Sequence, residues 1–123
     1  MFKRVHHVVI AVSDLTAAAA LYGQNFGLKA AAPDEAPDLG AKRIRFDVGN
    51  AFIDLVQPST PTSPLNEFIK DRGEGIYLIA VQVDNLKSTL AELRRKGAQV
   101  LEEGGRAFVS PKTTHGALMQ LIE

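Results

Sequence analysis

The sequence predicts an α+β fold made of two copies of a strand-helix-strand-strand-strand unit, and three observations lead to it. A strand-cap-helix phrase occurs twice, as Ala11-Val12-Ser13-Asp14-Leu15 and as Gln82-Val83-Asp84-Asn85-Leu86. The closing strands also align, Phe52-Ile53-Asp54-Leu55 over Leu118-Met119-Gln120-Leu121, and a proline-rich connector separates the copies. A chain of 123 residues with 46% apolar content supports one buried core. The reading is therefore a single domain over 1–123, with βαβββ units at 1–58 and 75–123 and a connector at 59–74.

Residues 5–12 are β-branched and small apolar, as a buried strand requires, and Ser13-Asp14 then offers a capping oxygen. Leu15, Ala18, Ala19, Tyr22 and Phe26 recur at helical spacing, which predicts a helix over 15–26 closed by Gly27. Residues 28–32 are expected to form a short strand and 33–40, with two prolines and three acidic residues, a loop. Clean alternation over 43–48, a tight turn at Gly49-Asn50 and a strand over 51–57 complete the first unit. A short helix over 65–71 ends at Gly73. The second unit then runs as a strand over 76–83, a cap at Asp84-Asn85, a helix over 86–96 and strands at 99–101, 107–109 and 117–122.

If each helix covers one face of its sheet, the two remaining faces enclose a cup, and strand parity says what lines it. His7 shares a face with Val5, Val9 and Ala11, Asp54 with Phe52 and Val56, and Gln120 with Leu118 and Ile122; Ile76, Leu78 and Ala80 form a fourth row. One polar residue in the middle of each of three otherwise apolar strands marks His7, Asp54 and Gln120 as candidate site residues. A buried Asp54 needs a partner, which His7 or Arg43 could each supply. Arg43 and Arg45 oppose the apolar Ile44 and Phe46 and are candidates for holding an anionic group. His6 points the opposite way and is read as structural, and His115 as a surface residue.

Fourteen residues of each charge sign give no drive toward nucleic acid or an acidic membrane. The absence of cysteine removes disulfides, thiolate nucleophiles and zinc-thiolate sites. No run approaches the roughly 18–20 apolar residues of a membrane span, and the basic start is not followed by a signal-peptide core. A small molecule is the expected partner and the cytoplasm the expected location.

His7-Val8-Val9-Ile10-Ala11-Val12-Ser13-Asp14-Leu15 resembles the opening strand of vicinal-oxygen-chelate proteins, the superfamily of glyoxalase I, extradiol dioxygenases and bleomycin-resistance proteins. Ser63-Pro64, Phe68-Ile69-Lys70, Arg72-Gly73-Glu74-Gly75-Ile76, Lys96-Gly97, Ser110-Pro111-Lys112 and Gly116 follow in the order and spacing of the methylmalonyl-CoA epimerase family. The resemblance runs from His7 to Glu123. It implies a cup-shaped mixed sheet of glyoxalase-like fold holding one divalent metal, with ligand places that fall on His7, Asp54, Leu78 and Gln120. Only His7 is kept in kind. The family's glutamate bases fall on Gln120 and on Arg43, which stays protonated and cannot act as a base.

These substitutions imply a ligand cup with a degraded metal site. The expected function is binding of a small anionic or CoA-thioester ligand, with metal-independent isomerase or lyase chemistry in which His7, Asp54 and Gln120 are the catalytic candidates. Arg43, Arg45, Leu78 and Lys112 are the ligand-contact candidates. The alternatives are a non-catalytic binding protein of bleomycin-resistance type, or an epimerase or glyoxalase-like enzyme with a weak divalent metal on His7, Asp54 and Gln120. No cofactor is expected otherwise. A homodimer is expected, because exposed sheet edges invite pairing and the family associates that way.

Overall fold

A computed structural model describes residues 1–123. The strands are β1 (Phe2–Ala11), β2 (Asp34–Ala36), β3 (Ala41–Asp47), β4 (Phe52–Pro58), β5 (Gly75–Val83), β6 (Val100–Glu103), β7 (Arg106–Val109) and β8 (Met119–Ile122). The helices are α1 (Leu15–Phe26), α2 (Pro64–Arg72) and α3 (Leu86–Arg95). Strand pairing is antiparallel for β2/β3, β3/β4, β6/β7 and β7/β8 and parallel for β5/β8, so the fold is α+β with mixed pairing. No helix is long and apolar enough to cross a membrane.

The chain forms two compact units, Val8–Tyr77 and Met1–His7 with Leu78–Glu123. The first seven residues thus belong with the second repeat, and β1 and β5 each run from one unit into the other.

In the Val8–Tyr77 unit the strand order is β2-β3-β4-β1. One face packs on α1 through Val12, Leu15, Ile44, Phe46 and Leu55, with Ala18, Ala19 and Tyr22 from the helical stripe closing over them. Helix α1 starts where Asp14 Oδ1 accepts from the Ala17 N–H and ends at Gly27 in the left-handed region. Two expectations for this unit are corrected. Residues 28–32 make only an isolated bridge, Ala30 opposite Phe46, and the expected loop at 33–40 contains β2 followed by a single helical turn at Pro37–Leu39. The reason is that three residues after Pro33 reach the free edge of β3 in register, and Asp34 finds a cation there in Arg43 opposite it.

In the other unit the order is β5-β8-β7-β6, and Val81, Val83, Leu90, Ala107, Val109 and Leu121 form its core under α3. Asn85 Oδ1 caps α3 by accepting from the Ser88 N–H. The opposite face carries Leu78, Ala80, Phe108 and Gln120, since Gln120 stands in register between Ala80 and Phe108.

Gly40 ties the Pro37–Leu39 turn to the segment before α2. Its φ is +56°, its carbonyl accepts from the Ser59 N–H and hydroxyl, and an added Cβ would lie 3.3 Å from the Ser63 Cβ and 2.5 Å from Thr60 Oγ1. The hydroxyl can rotate away, but the backbone strain stays. Gly40→Ala should therefore destabilise the protein by roughly 1–2 kcal/mol, read as a lower midpoint in urea at unchanged slope; an unchanged midpoint would contradict this account.

Candidate functional site

The β3/β4 hairpin builds its polar cluster from the turn outward. Gly49-Asn50 is closed by the Val48 N–H donating to the Ala51 carbonyl at 3.0 Å, and Asp47 Oδ1 accepts from the Gly49 N–H at 2.8 Å. A two-residue turn leaves one register, in which Arg45 stands opposite Asp54 and Arg43 opposite Val56. Directly opposed residues share a face and their side chains meet. Asp54 is 1% exposed, and it receives Arg45 at two points, Nε to Oδ1 at 2.6 Å and Nη2 to Oδ2 at 2.8 Å. The Arg45 guanidinium carbon lies 4.7 Å from the centre of the Phe52 ring, a cation-π contact that fixes its plane. Asp54 thus finds its cation in Arg45, one pair along from Arg43, which the sequence had suggested.

Arg43 has a carboxylate of its own. Its Nε and Nη2 donate to the two oxygens of Asp34 at 2.9 and 2.6 Å, across the β2/β3 register. The hydrogen bond from Arg43 is the main reason that the Asp34 carboxyl is held below its ordinary value of 3.8, and the same bond raises Arg43. The signal for this pair lay in the acidic residues after Pro33, read from the sequence as loop.

In the other unit, His6 and His7 are brought together. Their Nδ1 atoms lie 2.8 Å apart and the rings meet edge to face at 5.1 Å. Leu78 is buried, Gln120 is half-buried, and the Arg106 guanidinium sits over the Phe108 ring opposite Gln120. Lys112 is exposed in a short helical turn whose N-cap is Ser110, and His115 is exposed with φ +58°.

Comparison with known proteins decides the family. A family model described as the Glyoxalase/Bleomycin resistance protein/Dioxygenase superfamily matches residues 6–112. The chain belongs to this superfamily. It is 35% identical to the ethylmalonyl-CoA/methylmalonyl-CoA epimerase of Cereibacter sphaeroides, over 98% of each chain. The crystal structure of methylmalonyl-CoA epimerase from Mycobacterium tuberculosis superposes with a TM-score of 0.87 at 28% identity, covering 99% of this chain and 88% of that one. A variant of the Streptomyces coelicolor epimerase in complex with 2-nitronate-propionyl-CoA superposes with a TM-score of 0.84 at 25% identity, covering 98% and 94%.

For a superfamily domain of this kind the resemblance implies a divalent ion, and the residues at the implied places do not fit one. Both Asp54 oxygens already accept from a guanidinium, so an ion there would lie beside a positive charge that already neutralises the carboxylate. Leu78 is 2% exposed hydrocarbon with no lone pair to give. No group of three or more His, Asp or Glu side chains is placed to share an ion.

Two predictions follow from the ion pairs. Arg45→Met leaves a nearly fully buried carboxylate without this counter-charge, a loss on the order of 3–5 kcal/mol. Asp54→Asn leaves a guanidinium that is 29% exposed and can turn to water, so it should cost less. Chemical denaturation of both variants checks the order, and equal losses would contradict it. For Asp34, the folded carboxyl lies below its unfolded value, so its contribution is present above about pH 4 and is lost as pH falls through the lowered folded value. Because Asp34 is 53% exposed, the effect should be small. Asp34→Asn should flatten the acid limb of the stability profile without changing it at pH 7 by more than a few tenths of a kcal/mol.

Proposed function

We propose that this superfamily member binds a small carboxylate or an acyl-CoA thioester and acts on it as an isomerase or lyase without a divalent ion. The observation that carries this reading is the two-point ion pair of Arg45 on Asp54. A guanidinium has five N–H groups, and this pairing engages two of them, so the rest can meet a ligand oxygen. A cation held on one edge by a carboxylate and stacked with an aromatic ring is preorganised, the property that lets such a group stabilise negative charge developing on a thioester or carboxylate oxygen. In this reading Asp54 orients Arg45, Gln120 offers a neutral amide to the ligand, and His7 carries the proton. Leu78 supplies apolar surface. Arg43, held by Asp34, offers its remaining N–H groups to an anionic ligand, and Lys112 a second contact for it. Association as a homodimer belongs to the same reading.

The epimerase relatives named above support the CoA-thioester class. A second reading, binding without catalysis, draws on one observation: both places where the resemblance puts a glutamate base hold residues that cannot remove a proton, Arg43 and Gln120.

The test uses the full chain dialysed against a chelator, with methylmalonyl-CoA as the probe. Titration calorimetry should show binding that is unchanged by the chelator, and Arg45→Gln should weaken it by roughly tenfold, about 1.4 kcal/mol. Dialysis against cobalt should leave far less than one equivalent on the wild type, and Leu78→His combined with Gln120→Glu should raise the amount bound. Full retention of cobalt by the wild type, or probe binding that vanishes with the chelator, would overturn the metal-free reading. Incorporation of solvent deuterium at C2 of the bound probe separates the enzyme from the binding protein.

A further inference from the structure

Gly104 and Gly105 take positive φ values, +58° and +78°, and close the β6/β7 hairpin so that Glu103 stands opposite Arg106 and Leu101 opposite Phe108. Arg106 and Phe108 alternate with Ala107 along β7 and share a face. On that face Gln120 of β8 stands directly opposite Phe108, and so diagonal to Arg106. Diagonal neighbours in a sheet lie within reach of long side chains. Arg106 and Gln120 can therefore address one small group above the Phe108 ring.

The arginines of this chain differ in what holds them. Arg43, Arg45, Arg94 and Arg95 each hold a carboxylate. Of the rest, Arg4 and Arg72 are exposed, and Arg4 donates to Gln82. Arg106 alone among these is half-buried, with its guanidinium carbon 5.3 Å from the centre of the buried Phe108 ring and no carboxylate in contact. Glu103 is exposed and stays beyond ion-pair distance. The Gln120 side-chain amide is half-buried as well and makes no hydrogen bond within the chain. A guanidinium that meets a ring through its face keeps its N–H groups for another partner. A part-buried cation also gains more from a counter-charge than one in open water.

We propose that Arg106 and Gln120 bind the free carboxylate of a ligand, and that the ligand is a thioester whose acyl group carries this carboxylate. The inference rests on the acyl-thioester reading for the rest of its ligand. The guanidinium supplies the charge and a planar fork, and the amide one further N–H. Leu78, Ala80 and Phe108 give apolar surface on the same face. An arginine already neutralised suits an oxygen on which charge is only developing, whereas Arg106 suits one that is charged from the outset. Arg106 is thus a specificity residue, which selects carboxylated acyl groups over plain ones.

Titration calorimetry on the full chain tests this with two thioesters, methylmalonyl-CoA and propionyl-CoA, which lacks the carboxylate. The wild type should bind the first more tightly by roughly tenfold or more. Arg106→Met keeps an unbranched stem over Phe108 and should remove the preference, weakening methylmalonyl-CoA by roughly tenfold and propionyl-CoA by less than about twofold. Gln120→Leu should narrow the preference. Equal binding of the two thioesters by the wild type would overturn the proposal, as would an equal loss of both in Arg106→Met. A second readout needs no variant: in nitrogen NMR of the wild type, free methylmalonate should shift the Arg106 Nε–H and the Gln120 amide and leave Arg94 and Arg95 in place. Shifts absent from Arg106 and Gln120 would overturn the carboxylate site. Failure of both thioesters to bind, with those shifts present, would count against the acyl-thioester reading and leave the carboxylate site standing.

Discussion

A carboxylate on an interior strand with almost no access to water must be neutralised where it stands, and Asp54 is that group. Transfer of a lone carboxylate into such a place costs several kcal/mol even after relaxation. The residue directly opposite on β3 reaches it by register, and that residue is Arg45. The pairing in turn requires the Gly49-Asn50 turn to hold its length, since a slip of one residue would exchange the arginine row for Ile44 and Phe46. Those two are needed on the other face under α1. The helix-side core and the polar pair thus demand the same register, and neither can be satisfied without the other.

This has an electrostatic consequence for any ligand. Arg45 is neutralised by Asp54 and Arg43 by Asp34, so the two arginines present little net positive field. Affinity for an anion must then come from directed N–H groups held in fixed planes and from apolar surface, and long-range attraction has a small part. A divalent ion works differently, by adding net charge at one point. In the proposed metal-free reading, a guanidinium in place of an ion exchanges strength of field for geometric definition. Such a site favours ligands whose oxygens match a planar fork, as carboxylates and enolised thioesters do.

Much of the fold was legible, because it rests on signals with short range. Periodicity gave α1 at its observed bounds, the caps Asp14 and Asn85 lie where the repeated phrase put them, and the β3, β4 and β5 strands lie within two residues of their expected ends. The β2 strand was not legible, since three polar residues after a proline look like loop until an edge of β3 is there to receive them. The Arg45–Asp54 pair was within reach and was missed. A two-residue turn at 49 and 50 pairs positions that sum to 99, which sets Arg45 against Asp54 and Arg43 against Val56; of the partners that residue type suggested, Arg43 or His7, this register sets Arg43 aside. The contact of His6 with His7 was beyond the sequence, because alternation along a strand places their side chains on opposite faces, and only the rotamers bring the rings together.

The repeat itself is recorded more deeply in the helix caps than in the site. In one unit the first helical amide, Leu15 N–H, donates to the side-chain oxygen of Gln57 at 2.8 Å; in the other, Leu86 N–H donates to that of Glu123 at 2.6 Å. Gln57 and Glu123 occupy the same place in the two copies, three residues after Asp54 and Gln120 in the aligned closing strands. Each therefore brings an acceptor from the end of a closing strand to an amide that no intrahelical carbonyl can serve. Both copies keep this solution because it depends on local geometry common to any strand-cap-helix unit. The residues three places earlier face the opposite side of their strands. There the copies differ in charge, Asp54 holding a guanidinium and Gln120 a neutral amide. Positions that finish the scaffold are constrained alike in both halves, whereas positions free of that duty are the ones where the halves have diverged, and the polar groups available for chemistry stand among them.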